Sequence, residues 1–290
     1  MRGHDSRATA WGLVAVGVIG VSVSGPIAAA VVVPALAVAF WRTALGAAAT
    51  VPFAARAAGA RSWQGAVLAG VLLAVHFGTW IPSLRLTTVT ASTALVTTSP
   101  LWIVAIERVR GVRVPHGVVL GMLLACTGVL AVTGVDAGRS PRALTGDLLA
   151  LIGGAAGAGY LMVGEVVRRT TSTATYTALT YGSCALVLLP VCLLLGVPLG
   201  GWDARAWVEI GVLTVSAQLL GHTALNAAVP VVGATPLALA VLLEVPGAAF
   251  VAWVWLGQEP PAGALPGVAA VLAGLAVVLR ARGSSHAGVS

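Results

Sequence analysis

The sequence predicts an all-α protein that crosses the membrane many times. Its 16 basic and 9 acidic side chains are only 9% of the 290 residues, whereas 58% of the residues are hydrophobic. A soluble chain normally carries about 25% charged residues. The mean hydropathy of +0.98 points in the same direction. This composition excludes a water-soluble enzyme, a disordered chain and a disulfide-stabilised scaffold, and it leaves a polytopic membrane protein.

Hydropathy divides the chain into ten predicted membrane-spanning helices. Each span needs about 20 apolar residues, so ten spans leave only short loops and no extramembrane domain. Because nine further spans follow the first, we expect the first helix to be retained and not removed as a signal peptide. The predicted spans are 11–29, 34–54, 64–84, 88–107, 115–134, 146–167, 174–197, 206–228, 233–256 and 261–280.

The arginines predict the orientation of these spans. With the N-terminus in the cytoplasm, eleven arginines, including Arg56, Arg61, Arg168 and Arg169, fall in cytoplasmic segments and only four fall in outer loops. Cytoplasmic loops of membrane proteins carry the excess of positive charge. We therefore expect both termini in the cytoplasm, residues 135–145 outside, and the plasma membrane as the location. A nucleic-acid partner is not expected, because its binding face would need clustered charge.

An internal repeat divides the chain into two five-helix domains, residues 1–140 and 141–290. An offset of 146 superposes His76 on His222, Pro100 on Pro246, Gly111 on Gly257, Pro115 on Pro261, Gly117 on Gly263, Gly121 on Gly267 and Gly128 on Gly274. Since five is an odd number, the second domain must start on the opposite side of the membrane from the first. Inverted repeats of this kind are typical of secondary transporters, which bind substrate near the midplane between the repeats.

Motifs in both halves resemble those of EamA-type transporters in the drug/metabolite transporter superfamily. The first half carries ALAVAFWRTALGA, TASTALVTTSPLW and GVVLGMLLACTGVLAV, and the second carries GDLLALIGGAAGAGYLMVGEVVRR, ATPLALAVLLEVPGAAFVAWVWLGQEPP and PGVAAVLAGLAVVL. The stretch from Glu244-Val-Pro246 to Gly257-Gln-Glu259 is similar to the Glu-x-Pro and Leu-Gly-x-Glu signatures of the family. The first half departs from this pattern, because Arg113 stands where Glu259 would superpose.

The resemblance implies a secondary exporter of small metabolites, amino acids or drugs that works by alternating access. Its partners would be a small-molecule substrate and the lipid bilayer, with protons as a candidate coupling ion and a homodimer left open. No cofactor or metal site is expected, because the three cysteines lie in apolar runs without metal-ligand spacing. Two alternatives remain: a membrane-embedded enzyme that acts on lipid, and a channel or structural subunit that does not transport.

Two charged residues within spans are candidates for the substrate pathway. Arg42 lies about 12 Å into the second span and Glu244 about 16 Å into the ninth, at 1.5 Å per residue. Ionised groups at this depth are costly and face the interior of the bundle. Arg42 would hold an anionic group or set the potential of a cavity, and Glu244 would bind a proton or a substrate amine. A structural ion pair is the alternative.

Two equivalent histidines are also predicted to line the pathway. Imidazole changes its charge near neutral pH, which suits a proton relay. Trp80 shares a helical face with His76, and Gln218, His222 and Asn226 follow each other at four-residue spacing. The third and eighth spans run in opposite directions, so we expect His76 in the outer half of the membrane and His222 in the inner half. A buried histidine bonded to a neighbouring helix is the alternative.

The remaining candidates are hydroxyls and backbone-shaping residues. Thr93, Thr97 and Tyr160 are predicted to line a cavity, although such hydroxyls also bond to their own helix or to a neighbouring one. Prolines within spans weaken the backbone hydrogen bonds and are candidate hinges, and GxxxG motifs let helices approach closely as scaffold or as a protomer contact. These residues are Pro26, Pro100, Pro246, Gly117, Gly121, Gly263 and Gly267.

Overall fold

The computed structural model describes residues 2–54, 63–133, 140–259 and 264–287, and these residues are almost entirely helical. In the described part, fourteen α-helices and one π-helical segment follow each other along the chain. In order they are α1 (Arg2–Ser22), α2 (Ser24–Ala30), α3 (Ala35–Ala54), α4 (Trp63–Ser83), α5 (Val89–Val96), α6 (Ser99–Val109), α7 (His116–Thr133), α8 (Pro141–Arg168), α9 (Thr173–Leu194), α10 (Ala204–Leu213), the π-helix (Thr214–His222), α11 (Thr223–Val232), α12 (Ala234–Val241), α13 (Glu244–Leu256) and α14 (Ala264–Ala287).

Eight helical stretches of the described chain are long and apolar enough to cross a membrane. They are Ser6–Ala30, Ala35–Ala54, Trp63–Ser83, Val89–Val109, Pro141–Arg168, Thr173–Leu194, Ala204–Val232 and Ala234–Leu256. These stretches coincide with eight of the ten predicted spans to within a few residues. The fifth and tenth predicted spans contain shorter apolar helices, His116–Ala131 and Ala269–Ala281. The prediction of an all-helical, multi-pass membrane protein is therefore confirmed.

Capping side chains explain where several of these helices begin. Thr88, Ser140, Ser172 and Asp203 each accept a hydrogen bond from the backbone N–H three residues later, at the starts of α5, α8, α9 and α10. Such a cap satisfies one of the N–H groups that the first turn leaves without a partner. Gly257 ends α13 with a positive φ of 67°, a conformation that glycine adopts without steric cost. Local sequence thus fixes the helix ends at the membrane surface.

Three of the membrane stretches are interrupted, and each interruption is followed by a proline. Helices α2, α6 and α13 are the second segments of broken spans, and Pro26, Pro100 and Pro246 lie in their first turns. Proline is well tolerated there, because first-turn N–H groups have no partner within the helix. The three predicted hinge positions therefore lie at real breaks in the helices, and movement at those breaks stays a prediction.

Four helix contacts organise the bundle: α4 with α8, α1 with α11 and the π-helix, α3 with α9, and α7 with α14. Helices α4 and α8 are antiparallel. Gly146 near the start of α8 lies against Ser83 at the end of α4, and Val167 near the end of α8 lies against Gly65 at the start of α4. This arrangement brings helices from the two halves of the sequence side by side.

The contact between α7 and α14 depends on glycine. A Cβ atom on Gly121 would lie 2.6 Å from the carbonyl oxygen of Gly274, and one on Gly128 would lie 2.5 Å from that of Gly267. Since real Cβ atoms do not approach oxygen so closely, only glycine permits this separation of the two backbones. The predicted packing role of Gly121 and Gly267 is thus seen as a contact within the chain.

Gly117 and Gly263 are the other two glycines of the GxxxG motifs, and only Gly117 belongs to the described residues. Gly117 also faces α14, where an added Cβ would lie 2.7 Å from Cβ of Ala281. Three of the four predicted packing glycines therefore lie where helix α7 meets helix α14.

A Gly121→Ala substitution tests this close packing. We expect the added methyl group to force the helices apart and to lower the free energy of unfolding by about 1–3 kcal/mol, seen as a lower melting temperature in detergent. Gly182→Ala in α9 is the control, because no atom lies within 4 Å of its added Cβ; alanine there should leave stability unchanged or raise it slightly. Equal melting temperatures for Gly121→Ala and wild type would contradict the close approach.

The packing also groups the charged helix ends on two faces of the bundle. Arg7 near the start of α1 and Arg169 just after α8 border one cavity. At the other end of α8, the side chain of Arg142 donates to the carbonyl oxygen of Arg85 at 2.9 Å. The predicted orientation requires Arg7 and Arg169 on one face and Arg85 and Arg142 on the other, and the structure has this grouping. Which of the two faces is cytoplasmic stays a prediction. Arg56, Arg61 and residues 135–139 lie outside the described part of the chain.

Candidate functional site

A cavity of about 60 Å³ lies in the centre of the bundle, and both halves of the sequence contribute to its wall. Helix α4 and the α5–α6 break come from the first half, and α8, the π-helix and the start of α13 come from the second. Six of the ten predicted pathway residues line this cavity: His76, Trp80, Thr97, Tyr160, His222 and Glu244. The polar residues that sequence placed on five separate spans therefore meet at one point.

Aromatic and imidazole rings form much of the wall. The ring centroids of His76 and His222 are 6.4 Å apart, those of His76 and Trp80 are 5.8 Å apart, and those of Tyr160 and His222 are 6.1 Å apart. The ring of Phe77 is in edge contact with His222 at 5.2 Å. Flat, apolar faces with polar edges suit the body of a small organic molecule.

The two histidines share this cavity, and the expectation that His76 lies in the outer half of the membrane and His222 in the inner half stays a prediction. Side chains on a helix lean toward its N-terminus. Because α4 and the π-helix run in opposite directions, His76 and His222 both lean toward the middle of the bundle and meet there. A ring separation of 6.4 Å is compatible with one imidazole on each side of the midplane.

The two imidazoles differ in their hydrogen bonds. Nδ1 of His76 lies 2.8 Å from the carbonyl oxygen of Gly153 and therefore donates to it. In the neutral ring the other nitrogen, Nε2, is then an acceptor. A Cβ on Gly157 would lie 3.0 Å from this Nδ1, so glycine leaves room for the ring. His222 makes no hydrogen bond to the described residues and is the freer of the two rings.

The π-helix separates the predicted stripe of Gln218, His222 and Asn226 into different environments. Its wider turn leaves the carbonyl oxygen of Gln218 to accept from the N–H and the hydroxyl of Thr223 and from the hydroxyl of Tyr181. π-Helical segments are frequent at functional sites. His222 faces the cavity, whereas Gln218 and Asn226 are bonded to other helices behind its wall.

Arg42 lies behind the cavity wall and is fully buried. Its Nε donates to Oε1 of Gln218 and its Nη1 donates to the hydroxyl of Ser24, both at 3.0 Å. Its guanidinium carbon lies 4.1 Å from the centre of the Phe77 ring. Arg42 therefore ties α3 to α2 and to the π-helix, and it acts on the cavity through its charge and through Ser24, which is part of the wall.

A second buried bond joins the cavity to its surroundings. The hydroxyl of Tyr160 donates to Oδ1 of Asn226 at 2.7 Å, and Nε of Arg168 donates to the backbone oxygen of Asn226 at 2.9 Å. Buried donor atoms of this region without a hydrogen-bond partner include Nη2 of Arg42, Nε2 of Gln218 and Nδ2 of Asn226 behind the wall, and Nε1 of Trp80 in the wall. Because buried donors are costly when unpaired, the indole N–H of Trp80 favours a ligand that brings an acceptor oxygen.

Glu244 supplies the carboxyl group of the cavity. It is the first residue of α13, is only 6% exposed, and makes no hydrogen bond or ion pair with the described residues. The positive end of the α13 dipole stabilises a carboxylate at this position. A buried carboxylate without a partner is costly, and such groups are typical of functional sites.

The hydroxyls of the α5–α6 span divide between the cavity and the helix packing. Thr97 lines the cavity while its hydroxyl donates to the carbonyl oxygen of Ala94. Thr93 lies outside the cavity wall, close to Gly25 of α2, where an added Cβ would lie 3.1 Å from its hydroxyl. Thr93 is therefore not part of the cavity wall in this conformation, and its place in the substrate pathway stays a prediction.

Sequence reasoning missed several residues of the site. Ser24 and Ser99 are part of the cavity wall, Phe77 covers Arg42, and Tyr181 bonds to the π-helix. Phe77 and Tyr181 lie in apolar runs where an aromatic residue is expected as core, so nothing in the sequence marked them. Ser24 and Ser99 lie beside the proline breaks, and that position could have identified them.

Two arginines tie the backbone at opposite ends of the bundle. The guanidinium of Arg85 donates to the carbonyl oxygens of Ala28, Val31 and Val33, and burial lowers the pKa of this group. At the other end, Arg168 donates to carbonyls of Thr171 and Asn226. Each arginine bonds backbone oxygens that the helices leave free, so the chain is held together above and below the central cavity.

Comparison with known proteins supports a transporter. Residues 144–280 match the model of the EamA-like transporter family. One crystal structure, among 29 chains of solved structures that match, has a TM-score of 0.71 at 20% identity, over 95% of this chain and 98% of that chain. That likeness shows the fold alone. No curated protein matches the chain. The resemblance predicted from the motifs is therefore confirmed for the second half of the chain: residues 144–280 match the EamA-like transporter family.

Proposed function

We propose that this protein is a secondary active transporter that exports small molecules across the plasma membrane by alternating access around the central cavity. The observation that carries this proposal is the meeting of His76 from the first half with His222 and Glu244 from the second in one cavity. In transporters built from inverted repeats, substrate binds near the midplane between the repeats, often where helices are broken. The match to a transporter family supports the same conclusion.

We further propose ten spans arranged as two inverted repeats. The breaks before α6 and α13 support this arrangement, because an offset of 146 carries Ser99 to position 245, next to Glu244, where α13 begins. The glycine contacts support it too. The same offset exchanges the pair Gly121 and Gly274 with the pair Gly128 and Gly267, and both pairs join α7 to α14.

The size of the cavity favours a mechanism that includes a conformational change. A volume of about 60 Å³ holds a few water molecules. Binding sites for small molecules are usually larger than about 300 Å³. A metabolite would therefore enter only after the helices move, and the breaks at Pro26, Pro100 and Pro246 are the candidate hinges. Release of the contacts of Arg85 or Arg168 would open one end at a time.

The polar groups around the cavity suggest separate roles in transport. The unpaired indole N–H of Trp80, which lines the cavity, suits an acceptor group of the substrate, and Arg42 adds its positive charge from behind the wall. The carboxylate of Glu244 suits a proton or a substrate amine, and His222 could exchange protons with it. Protons are accordingly the coupling ion that we propose.

The two alternative functions have less support. An enzyme that acts on lipid would carry its carboxylates or histidines near one membrane surface, where the reactive headgroups lie. Here His76, His222 and Glu244 lie in the centre of the bundle. A channel or structural subunit would show no saturable flux, so transport kinetics separate it from the proposed carrier.

Flux measurements in proteoliposomes test the proposal directly. With a panel of amino acids and cationic drugs, we expect saturable flux that depends on an imposed pH gradient. Glu244→Gln keeps the shape of the side chain but removes its charge and its titratable proton, so the maximal rate should fall by about tenfold or more.

Glu209→Gln is the matched control, because Glu209 is paired with Arg205 in α10 and lies away from the cavity. It should transport like the wild type. A panel without saturable flux, or full activity in Glu244→Gln, would contradict the proposed mechanism.

A further inference from the structure

A second cavity, of about 520 Å³, opens on the face of the bundle where α1 begins. It lies between the start of α1, the end of α8, the turn from α11 to α12, and α14. Arg7 and Trp11 come from α1, and Glu165 and Arg169 come from α8 and its C-terminal end. This cavity is separate from the central site, and the transport mechanism does not use it.

The charges around this cavity leave it with a positive excess. Both oxygens of Glu165 are already bonded: Oε1 accepts from Arg169 at 2.8 Å and Oε2 accepts from the backbone N–H of Ala234 at 2.9 Å. Arg7 pairs with none of the described side chains. Glu165 therefore balances one of the two guanidinium groups, and the other, together with the free N–H groups of Arg169, remains available to an anion.

The wall of this cavity is charged in one part and apolar in another. Arg7 and Arg169 lie at helix ends, where helices of a membrane protein meet the surface. Trp11 lies one helical turn deeper than Arg7, as expected for an interfacial tryptophan. Val231 and Leu279 add apolar wall, and both side chains are exposed on the outside of the bundle. A ligand that fits this wall is anionic at one end and apolar at the other.

We propose that this cavity binds the headgroup of an anionic phospholipid, with one acyl chain along Val231 and Leu279. The phosphate would accept hydrogen bonds from the guanidinium groups of Arg7 and Arg169, which suit phosphate because they offer paired donors. Basic pockets between transmembrane helices are recognised lipid sites. Free phosphate shares the charge of the headgroup but lacks the apolar chain that Val231 and Leu279 would contact.

The bound lipid would join four elements that come from distant parts of the sequence. Helix α1 carries Arg7, the end of α8 carries Arg169, the end of α11 carries Val231, and α14 carries Leu279. A ligand that binds only the folded bundle stabilises it in proportion to its occupancy. The structure therefore predicts that anionic lipid raises the thermal stability of the protein.

The test compares the full-length protein in nanodiscs of phosphatidylcholine with and without phosphatidylglycerol. We expect phosphatidylglycerol to raise the melting temperature by about 3 °C and to remain bound in native mass spectra. The double variant Arg7→Gln/Arg169→Gln should lose this gain, with an affinity for phosphatidylglycerol weaker by on the order of tenfold. Val231→Trp, which fills the apolar part without changing the charge, should reduce the bound lipid as well.

Arg108→Gln/Arg110→Gln is the matched control. It removes the same charge from the exposed end of α6, and neither residue lines this cavity. It should keep the gain from phosphatidylglycerol. Equal gains in both double variants and in Val231→Trp would overturn the proposal in favour of non-specific attraction. An equal gain from inorganic phosphate alone would overturn it in favour of a soluble anion.

Discussion

Arg42→Ala should abolish transport while the protein remains inserted in the membrane. The substitution removes the only charge that the described structure places among α2, α3 and the π-helix, and it leaves Oε1 of Gln218 and the hydroxyl of Ser24 without their donor. Each abandoned buried group costs about 1–3 kcal/mol. Because Ser24 lines the cavity, the site would lose both its positive potential and its shape, and flux should fall by about a hundredfold or more.

Three further variants separate the roles of Arg42. Arg42→Lys keeps the charge but offers a single ammonium group in place of a planar fork, so it should retain only part of the flux. Gln218→Ala removes the bond to Nε and leaves the charge. Arg205→Ala is the control, because this arginine is exposed and pairs only with Glu209.

Flux is measured in proteoliposomes, and insertion is measured by membrane fractionation and by the melting temperature. Normal flux in Arg42→Ala would show that its charge does not serve the pathway. Loss of the protein from the membrane would show that Arg42 serves the fold alone.

Much of the fold could be predicted because a membrane imposes a simple rule on sequence. Backbone polar groups must be satisfied within the hydrocarbon, so apolar stretches of span length become helices. The residues before α8 and α9 show how local chemistry refines this rule, since Ser140 and Ser172 cap the helices just where the hydrophobic runs begin. Glycine contacts between α7 and α14 were also predictable, because a matching pattern of small residues occurs in both halves.

The site could be predicted only in part, because depth in the membrane does not determine direction. Arg42 and Glu244 were both assigned to the midplane, which is consistent with the central site, but Arg42 lies behind the wall and Glu244 lies in it. Thr93 and Thr97 are one helical turn apart, so an unbroken helix would place both hydroxyls on the same face of the span. The break after α5 separates them, and hydropathy cannot show where a span breaks.

The π-helix marks a different limit of sequence reasoning. A spacing of four residues placed Gln218, His222 and Asn226 on one face of an ideal α-helix. The wider π-helical turn rotates these side chains apart, and a tertiary contact accompanies it: the carbonyl oxygen of Gln218 also accepts from the hydroxyl of Tyr181 on α9. An interaction between residues 37 positions apart in the chain leaves no local trace in the sequence.

Joining positions 76 and 222 by a covalent bridge should stop transport reversibly. The two rings approach to 6.4 Å, and they belong to opposite halves of the proposed repeat. In alternating access the two halves must separate on one side of the cavity and then on the other. A His76→Cys/His222→Cys protein, with Cys126, Cys184 and Cys192 replaced by alanine, would be treated with a short, membrane-permeant reagent that bridges two thiols through a disulfide at each end. Flux should fall to that of empty liposomes and return with reductant.

The control bridges two positions within one half. The hydroxyls of Ser83 and Ser92 are 2.6 Å apart, and both residues belong to the first half of the sequence. Because alternating access does not require α4 and α5 to separate, a Ser83→Cys/Ser92→Cys bridge in the same background should leave most of the flux. The untreated double-cysteine protein gives the reference flux, and each single-cysteine protein is treated in the same way, which separates bridging from simple modification and from loss of the imidazoles. Continued flux through the bridged 76–222 protein would mean that the cavity wall does not open between the histidines, and the proposed mechanism would then be wrong.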